Sequence, residues 1–252
     1  MDTSLTIETD DGLALDARLQ TQTTSHGAVV VAHGFSASKD HPNVKAVADA
    51  IFDAGFDVVT YDCRGHGESG GRCTLGDLEQ HDVAAAVKLA ATASDRIALV
   101  GASMGGIAVL RYAAVDPSLV AVVTVSSPAV WKLPRSPQGL LAAALTRTRP
   151  GRWISASRLG VRLAPSWTSP EPPVDLVSRL TVPLAVIHGS CDRFIDSGQA
   201  RPLARAAHGP CRLDLVTGMG HAYEPVAIPA ILNALEWGFG LVGTTAEPAA
   251  VS

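Results

Sequence analysis

Short apolar runs alternate with helix-like segments along most of the chain, and turn residues separate them. Runs of four to six mostly β-branched residues predict buried strands, and apolar residues at helical spacing predict amphipathic helices. We predict strands at 5–7, 13–19, 28–32, 58–61, 97–100, 121–125, 182–187 and 213–216, and helices at 43–54, 78–93, 105–114, 199–207 and 228–239. Alternating strands and helices indicate an α/β fold with a mostly parallel sheet and helices on both faces. The first two strands should form an antiparallel hairpin at one edge.

The alternation breaks between residues 129 and 178, which contain no clear strand, several prolines and three of the four tryptophans. We therefore predict one core made of residues 1–128 and 179–242, an insertion at 129–178, and a flexible tail at 243–252. The insertion carries seven basic residues against two acidic ones. These charges indicate either the polar face of short helices or a region that attracts an anionic substrate or surface.

Composition describes an ordinary globular protein. With 252 residues, 47% of them hydrophobic, and a mean hydropathy of +0.21, the chain is not expected to be disordered. A net charge of −4 argues against a general nucleic-acid-binding protein. No run approaches the roughly 20 apolar residues of a membrane span. Because the first residues are acidic and no apolar segment follows them, a signal peptide is not predicted, and we expect a cytoplasmic protein. The oligomeric state is left open.

Two patterns could suggest a metal or a cofactor, and stronger interpretations exist for both. His188, Cys191, His208 and Cys211 are the ligand types of a structural zinc site, but the first two end an apolar strand and fit another role. Residues 65–70 read G-x-G-x-x-G after a strand, as in dinucleotide-binding proteins, but no helix follows immediately. We therefore predict no metal, no cofactor, and cysteines that are reduced and structural.

The motif Gly101-Ala102-Ser103-Met104-Gly105 lies between a predicted strand and a predicted helix. A G-x-S-x-G motif alone is weak, but at such a junction a sharp turn exposes the serine hydroxyl, and only glycine fits the crowded flanking positions. The following helix would direct free N–H groups and a partial positive charge at developing negative charge. We therefore predict that Ser103 is a nucleophile.

A nucleophilic serine needs a base, and the base needs a group that orients it. His221 follows the last predicted strand, and Asp192 follows the strand before it. Since the carboxyl ends of parallel strands meet at one edge of a sheet, both side chains should lie near Ser103. We predict His221 as the base and Asp192 as its partner, with Asp196 as the rival carboxylate.

Several motifs together resemble the α/β-hydrolase family over almost the whole chain. They are His33-Gly34-Phe35, the turn at 62–69, the Ser103 motif, His188-Gly189 before Asp192, and Gly220-His221. The order Ser, Asp, His is also the order of that family. The chain looks most like small serine esterases, including feruloyl or cinnamoyl esterases and monoacylglycerol-lipase-like enzymes. The resemblance implies a lid at 129–178, a structural role for His66, and an oxyanion hole made by the N–H groups of Phe35 and Met104.

These residues predict a serine hydrolase that cleaves small-molecule carboxylic esters through an acyl-enzyme. Thioesterases, amidases or peptidases, C–C bond hydrolases and acyltransferases use the same triad and remain open. A ligand-binding protein on this fold is a further alternative, which the complete triad disfavours. The candidates for the substrate pocket are Trp131, Trp153, Trp167 and Tyr223; the three tryptophans could equally anchor the insertion to the core.

Overall fold

The computed structural model describes residues 1–132, 136–166 and 168–244. The strands are β1 (Asp2–Glu8), β2 (Ala14–Gln20), β3 (Ala28–Ala32), β4 (Asp57–Tyr61), β5 (Ile97–Ala102), β6 (Ala121–Val125), β7 (Leu184–Gly189) and β8 (Cys211–Val216). The helices are α1 (Pro42–Asp53), α2 (Glu79–Ala90), α3 (Met104–Ala113), α4 (Pro137–Arg147), α5 (Arg149–Arg158), α6 (Pro173–Val177), α7 (Ala200–Ala206) and α8 (Ile228–Thr244).

The eight strands form one sheet in the order β1-β2-β4-β3-β5-β6-β7-β8. β2 pairs antiparallel with both β1 and β4, and all pairs from β4 to β8 are parallel. The predicted mostly parallel sheet with an antiparallel hairpin at one edge is therefore confirmed. This arrangement brings the carboxyl ends of β3, β5, β6, β7 and β8 to one edge, where ligands bind in such sheets.

The central strands β3 and β5 have no polar side chain because helices cover both faces of the sheet. All five residues of β3 are buried. Val29 and Val31 pack into the layer that contains α1 and α8, while Val30 and Ala32 face the layer that contains α2, α3 and α7. A strand that buries both faces loses the alternation of apolar and polar residues, which explains its unbroken apolar sequence.

The last helix is longer than predicted. The prediction ended the helix at residue 239 and started the flexible tail at 243, but α8 runs to Thr244, so the first two residues of the predicted tail were assigned wrongly. Gly240 and Gly243 lower helix propensity by about 1 kcal/mol each, which is too little to end a helix that Trp237 and Phe239 hold on the core. The rest of the predicted tail, 245–252, lies outside the described residues. Within the described ranges, no helix has the length and apolar character needed to span a bilayer.

The insertion, residues 129–178, leaves the sheet after β6 and returns before β7, and it contributes α4, α5 and α6. Each of the first two helices begins at a hydroxyl cap: Ser136 accepts a hydrogen bond from the Gly139 N–H (3.1 Å), and Thr148 from the Gly151 N–H (3.0 Å). α4 and α5 pack closely, since a Cβ on Gly151 would lie 2.0 Å from the Ala144 carbonyl oxygen. The two helices therefore form a hairpin beyond the carboxyl edge of β6.

Candidate active site

Ser103 occupies a sharp turn between β5 and α3. Its backbone has φ 52° and ψ −112°, a conformation that costs about 1–3 kcal/mol for a residue other than glycine. Its N–H donates to the Val125 carbonyl of β6 (2.8 Å), and its carbonyl accepts from the Ile107 N–H of α3 (3.2 Å). These bonds hold the strained turn, and strain of this kind is concentrated at functional sites.

The glycines on either side of Ser103 are needed because the turn is crowded. A Cβ on Gly101 would lie 2.5 Å from the Gly105 carbonyl oxygen, and a Cβ on Gly105 would lie 2.4 Å from the Ala32 carbonyl oxygen of β3. Both distances are far shorter than a real Cβ contact. The G-x-S-x-G pattern therefore follows from close backbone approach, as the sequence analysis predicted.

Asp192 and His221 come together at the carboxyl ends of β7 and β8. His221 Nδ1 lies 2.7 Å from Asp192 Oδ2. The other carboxylate oxygen of Asp192 accepts hydrogen bonds from the N–H groups of Phe194 (2.8 Å) and Ile195 (2.9 Å). The Asp192 side chain is fully buried, whereas that of His221 keeps 21% of its surface exposed. The carboxylate is thus held in position with one oxygen directed at the imidazole.

The charge of Asp192 is stabilised by its partners. Burial alone would raise the pKa of this carboxyl, but hydrogen bonds with His188 and His221 outweigh burial and keep the pKa well below its ordinary value. His188 Nε2 lies 3.4 Å from Asp192 Oδ2 and 3.1 Å from the Ile195 carbonyl oxygen. His188 is fully buried at the end of β7, where it supports the Asp192 loop. Asp192 is therefore ionised at neutral pH and can stabilise a positive charge on His221.

The two loops that carry Asp192 and His221 are joined to each other. The Cys191 N–H donates to the Met219 carbonyl (2.9 Å), and the Gly218 N–H donates to Ser190 Oγ (3.0 Å). A third bond, from the Gly220 N–H to Glu224 Oε2 (2.7 Å), closes the loop around His221. The Asp192–His221 pair consequently belongs to one hydrogen-bonded unit instead of two independent loops.

The rival carboxylate, Asp196, has a different role. It accepts a hydrogen bond from the Gly198 N–H (2.9 Å) and caps the short 3₁₀ turn Ser197–Gln199. Its side chain points to this cap, whereas Asp192 contacts the histidine. The geometry therefore favours Asp192 over Asp196.

Phe35 and Met104, the predicted oxyanion-hole residues, flank the Ser103 turn. Met104 is the first residue of α3, where backbone N–H groups have no partner inside the helix. Phe35 follows Gly34, whose added Cβ would lie 3.4 Å from Ser103 Cβ, so this segment runs against the serine. In the described part of the chain, neither N–H donates a hydrogen bond. Both donors are thus free for a ligand atom beside Ser103.

His33 and His66 lie behind this segment and are buried. His33 Nδ1 lies 2.8 Å from the Gly34 carbonyl oxygen, and its Nε2 accepts from the Cys63 N–H (3.0 Å). The His66 ring packs edge-on against His33, with 5.0 Å between the centroids. Burial lowers the pKa of both imidazoles to about 4, so both are neutral at pH 7. They support the loop that carries Phe35, which agrees with the structural role predicted for His66.

The glycine-rich stretch at 65–70 is filled by the protein itself. A Cβ on Gly67 would lie 1.9 Å from Asp62 Oδ2, and a Cβ on Gly65 would lie 2.4 Å from the Cys73 backbone nitrogen. A dinucleotide pyrophosphate needs open space beside such glycines. This turn packs against its neighbours instead.

Regarding metals, the described ranges hold no group of three or more His, Cys, Asp or Glu side chains placed to bind an ion.

A cavity of about 760 Å³ opens beside Ser103 and His221. Its walls are mostly apolar and come from the Phe35 segment, from α3 and from the inner side of α4. The apolar residues that α4 contributes are Leu141, Ala142, Ala143 and Leu145. A cavity of this size and character matches a small-molecule site.

The four pocket candidates have different positions. Trp131 lines the cavity, and its Nε1–H donates to the Pro170 carbonyl (2.6 Å). Tyr223 also lines the cavity, but it is buried and its hydroxyl lies 3.0 Å from the carbonyl oxygens of Ala32 and Val100. Trp153 was predicted wrongly: it is 70% exposed on α5 and borders a separate depression with Arg152. Trp167 lies outside the described residues.

Comparison with known proteins identifies the family. The model of the serine aminopeptidase S33 family matches residues 23–175, which is more than half of the chain. The chain belongs to the S33 family. It is 32% identical to a monoacylglycerol lipase of Mycolicibacterium smegmatis over 235 residues, which cover 79% of this chain and 82% of the lipase. It also spans 42% of the length of an uncharacterized Escherichia coli protein, to which it is 29% identical over 120 residues.

Solved structures of similar shape confirm the fold of this S33 family member. An α/β hydrolase from Penicillium, GrgF, superposes with a TM-score of 0.74 at 19% identity and covers 96% of this chain and 98% of its own. Est1E from Butyrivibrio proteoclasticus, in a structure with ferulic acid bound, has a TM-score of 0.68 at 20% identity and covers 96% and 100%. The α/β-hydrolase fold predicted from the motifs is therefore correct.

Sequence reasoning missed part of the cavity of this S33 member. Phe194 lies two residues after Asp192, and its ring centroid is 5.1 Å from that of His221. Arg193 also lines the cavity, beside Lys132 and Arg147, two of the insertion's basic residues for which the sequence left an anionic substrate open. One signal in the sequence could have found Arg193 and Phe194: residues directly after a predicted catalytic carboxylate lie at the same strand end. For α4 there was no such signal, because its apolar residues face a cavity and not the core.

Proposed function

We propose that this chain is a serine hydrolase that cleaves carboxylic esters, with Ser103 as nucleophile, His221 as general base and Asp192 as the group that orients His221. The observation that carries the proposal is the 2.7 Å contact between His221 and the ionised Asp192, in a cavity that Ser103 also lines. The strained turn at Ser103 supports the same assignment.

In the proposed reaction, Ser103 Oγ attacks the ester carbonyl carbon while His221 removes the hydroxyl proton. The developing oxyanion accepts hydrogen bonds from the N–H groups of Phe35 and Met104. The bond to the alcohol oxygen then breaks, and His221 returns the proton to that oxygen, which leaves an acyl group on Ser103. Water, activated by His221, hydrolyses the acyl-enzyme. Asp192 holds His221 in the Nδ1–H tautomer and stabilises its imidazolium form in both the acylation and the deacylation step.

An ester substrate is favoured over a peptide with a free amino terminus, the substrate that the family's name, serine aminopeptidase, suggests. An aminopeptidase must bind the free ammonium group of its substrate, which calls for a carboxylate in the cavity. Among the described residues that line the cavity, the only acidic side chain is Glu224, and one of its oxygens, Oε2, holds the His221 loop through the Gly220 N–H at 2.7 Å. Lys132, Arg147 and Arg193 make the lining basic, which disfavours a cationic substrate.

The α4–α5 hairpin is proposed to act as the lid of this site. Its α4 side chains form one wall of the cavity, and the hairpin's outer surface carries exposed apolar residues such as Leu140 and Trp153. The relatives suggest two substrate types for this chain, a monoacylglycerol and a ferulic acid ester. The mostly apolar cavity accommodates the acyl part of either one.

The test is hydrolysis of p-nitrophenyl esters from acetate to palmitate by the wild type and by Ser103→Ala. We expect the variant to lose about 10⁴-fold or more in kcat while it keeps the wild-type melting temperature. A fluorophosphonate should label the wild type at Ser103 and leave the variant unlabelled. Near-wild-type turnover by Ser103→Ala would refute the proposal. Labelling without turnover of any ester in the series would shift it to a thioesterase or another acyl-transfer reaction.

A further inference from the structure

The charges around the cavity are unbalanced. Lys132, Arg147 and Arg193 are exposed, line the cavity, and have no ion-pair partner among the described residues. Other exposed cations, such as Arg179 and Lys88, do pair with carboxylates. Glu224 is the one acidic residue among the described lining residues. Three cations against one carboxylate leave the described lining with an excess of positive charge.

Two of these cations, Lys132 and Arg193, lie within a few residues of a contact that joins the insertion to the Asp192 loop. Ser136 Oγ donates to the Arg193 carbonyl, which ties the start of α4 to the Asp192 loop. Lys132 precedes Ser136 by four residues, so at most about 14 Å of chain separates it from that contact. Arg193 is the neighbour of both Asp192 and Phe194, whose ring packs on His221. Arg147 is at the opposite end of α4, about 16 Å along the helix.

This position determines which part of an ester the cations meet. In the proposed reaction His221 gives its proton to the leaving oxygen, so the alcohol part of the substrate lies on the His221 side of Ser103. Arg193, next to Asp192, belongs to that side, and at most about 14 Å of chain separates Lys132 from the Ser136–Arg193 contact. The apolar residues of α4 and α3 remain for the acyl part.

We propose that the site prefers esters whose alcohol part carries an anionic group, a carboxylate or a phosphate, which Arg193 and Lys132 attract. This inference rests on the proposed function, and it deepens that function by naming the substrate class. Because both cations are exposed, the attraction is modest and is screened by salt. Its main effect is a lower KM and faster capture of the anionic substrate.

The experiment compares two acetate esters of the same shape, 4-acetoxybenzoate and 4-acetoxybenzamide, which differ in the charge of the alcohol part. Each kcat/KM at pH 7 is divided by the rate of hydroxide-catalysed hydrolysis of that ester. We expect the wild type to favour the benzoate about tenfold at low salt, which corresponds to two exposed ion pairs. The preference should fall as NaCl rises from about 20 mM to about 500 mM.

The double variant Lys132→Gln/Arg193→Gln should lower the benzoate-to-benzamide ratio to about twofold or less. Arg201→Gln, an exposed cation of α7 outside the cavity lining, is the matched control and should keep the wild-type ratio. A second pair, monophenyl adipate and phenyl adipamate, places the charge on the acyl part. The double variant should not change the ratio for that pair.

Equal normalised rates for benzoate and benzamide in the wild type would overturn the inference and leave the esterase proposal standing. An unchanged ratio in the double variant would overturn it as well. Sedimentation with phosphatidylcholine vesicles, with and without phosphatidylglycerol, provides a further check: binding to anionic vesicles without a substrate preference would assign the cations to a lipid surface instead. If no ester is cleaved and a fluorophosphonate does not label Ser103, the proposed function fails and this inference fails with it.

Discussion

The strand-end edge of the sheet and the α4–α5 hairpin line the same cavity but are built in different ways. At the edge, Ser103, Asp192 and His221 each follow a strand closely, and backbone hydrogen bonds and tight glycine contacts define their positions. The hairpin has little burial of its own: Gly139 is the only buried residue of α4, and Leu141 is 62% exposed although it lines the cavity.

The difference suggests a division of tasks. Chemistry needs reacting groups held within a fraction of an ångström, and the strand ends supply such precision. Selectivity tolerates looser contacts, and a hairpin with few buried side chains can change its sequence at a low cost in stability. We therefore expect substitutions at the edge to abolish activity or folding, and substitutions in the hairpin to change substrate affinity.

The largest effect should come from Asp192→Asn, which removes the charge and keeps the shape. The amide can no longer stabilise the His221 imidazolium or hold its productive tautomer, so we expect kcat to fall by about 10⁴-fold. Steady-state hydrolysis of a p-nitrophenyl ester measures this loss. Asp196→Asn is the control, four residues away with a carboxylate bound to the Gly198 N–H, and it should keep kcat within about threefold. A comparable loss in both variants would contradict the assignment of Asp192.

Next in size is Gly105→Ala, which tests the close approach behind the nucleophile. Its Cβ would lie 2.4 Å from the Ala32 carbonyl oxygen, and neither backbone can move freely because Ala32 ends β3 and Gly105 lies in the first turn of α3. We expect a loss of about 3 kcal/mol in the free energy of unfolding, measured by urea denaturation. Gly240→Ala on α8 has open space around it and should be neutral or stabilising by up to about 1 kcal/mol. Equal stability of the two variants would show that the turn at Ser103 relaxes.

These positions also explain what the sequence could predict. The fold and the candidate partners of Ser103 could be predicted because each catalytic candidate follows an apolar run, and parallel strand ends converge. Gly101 and Gly105 marked the strained turn in the same way. Trp153 could not be placed, since an exposed tryptophan and a cavity-lining one look alike in a helix without a clear apolar face. The extent of α8 was also hidden, because packing of Phe239 outweighs two glycines. The cytoplasmic location stays a prediction.

The buried histidines at the edge predict a pH dependence of stability. His33 and His66 have folded pKa values of about 4, below the ordinary value near 6.5, so the unfolded chain binds more protons between these values. The contribution of these two histidines to the free energy of unfolding is fully present above about pH 6.5. It falls by up to about 1.4 kcal/mol per pH unit for each histidine as the pH drops toward 4.

His66→Asn should remove about half of that slope, measured as the free energy of unfolding in urea between pH 4.5 and pH 6.5. Asn keeps a donor for the Arg64 carbonyl, which His66 Nδ1 approaches to 3.1 Å, and contributions from other groups cancel in the comparison with the wild type. If His66→Asn keeps the wild-type slope, His66 is not held neutral in the folded protein.

The smallest effect should come from the insertion, where Trp131, before α4, can be compared with Trp153, on α5. Trp131 lines the cavity, so Trp131→Ala removes apolar contact with the substrate and should raise KM for an apolar ester about fivefold, with a smaller change in kcat. Trp131→Phe keeps a ring but loses the hydrogen bond to the Pro170 carbonyl, which separates substrate contact from support of the insertion. Trp153→Ala, exposed and outside the cavity, should leave KM within twofold. If Trp153→Ala raises KM as much as Trp131→Ala, the whole insertion acts on the substrate as one unit, and the division between a rigid edge and a tolerant hairpin must be abandoned.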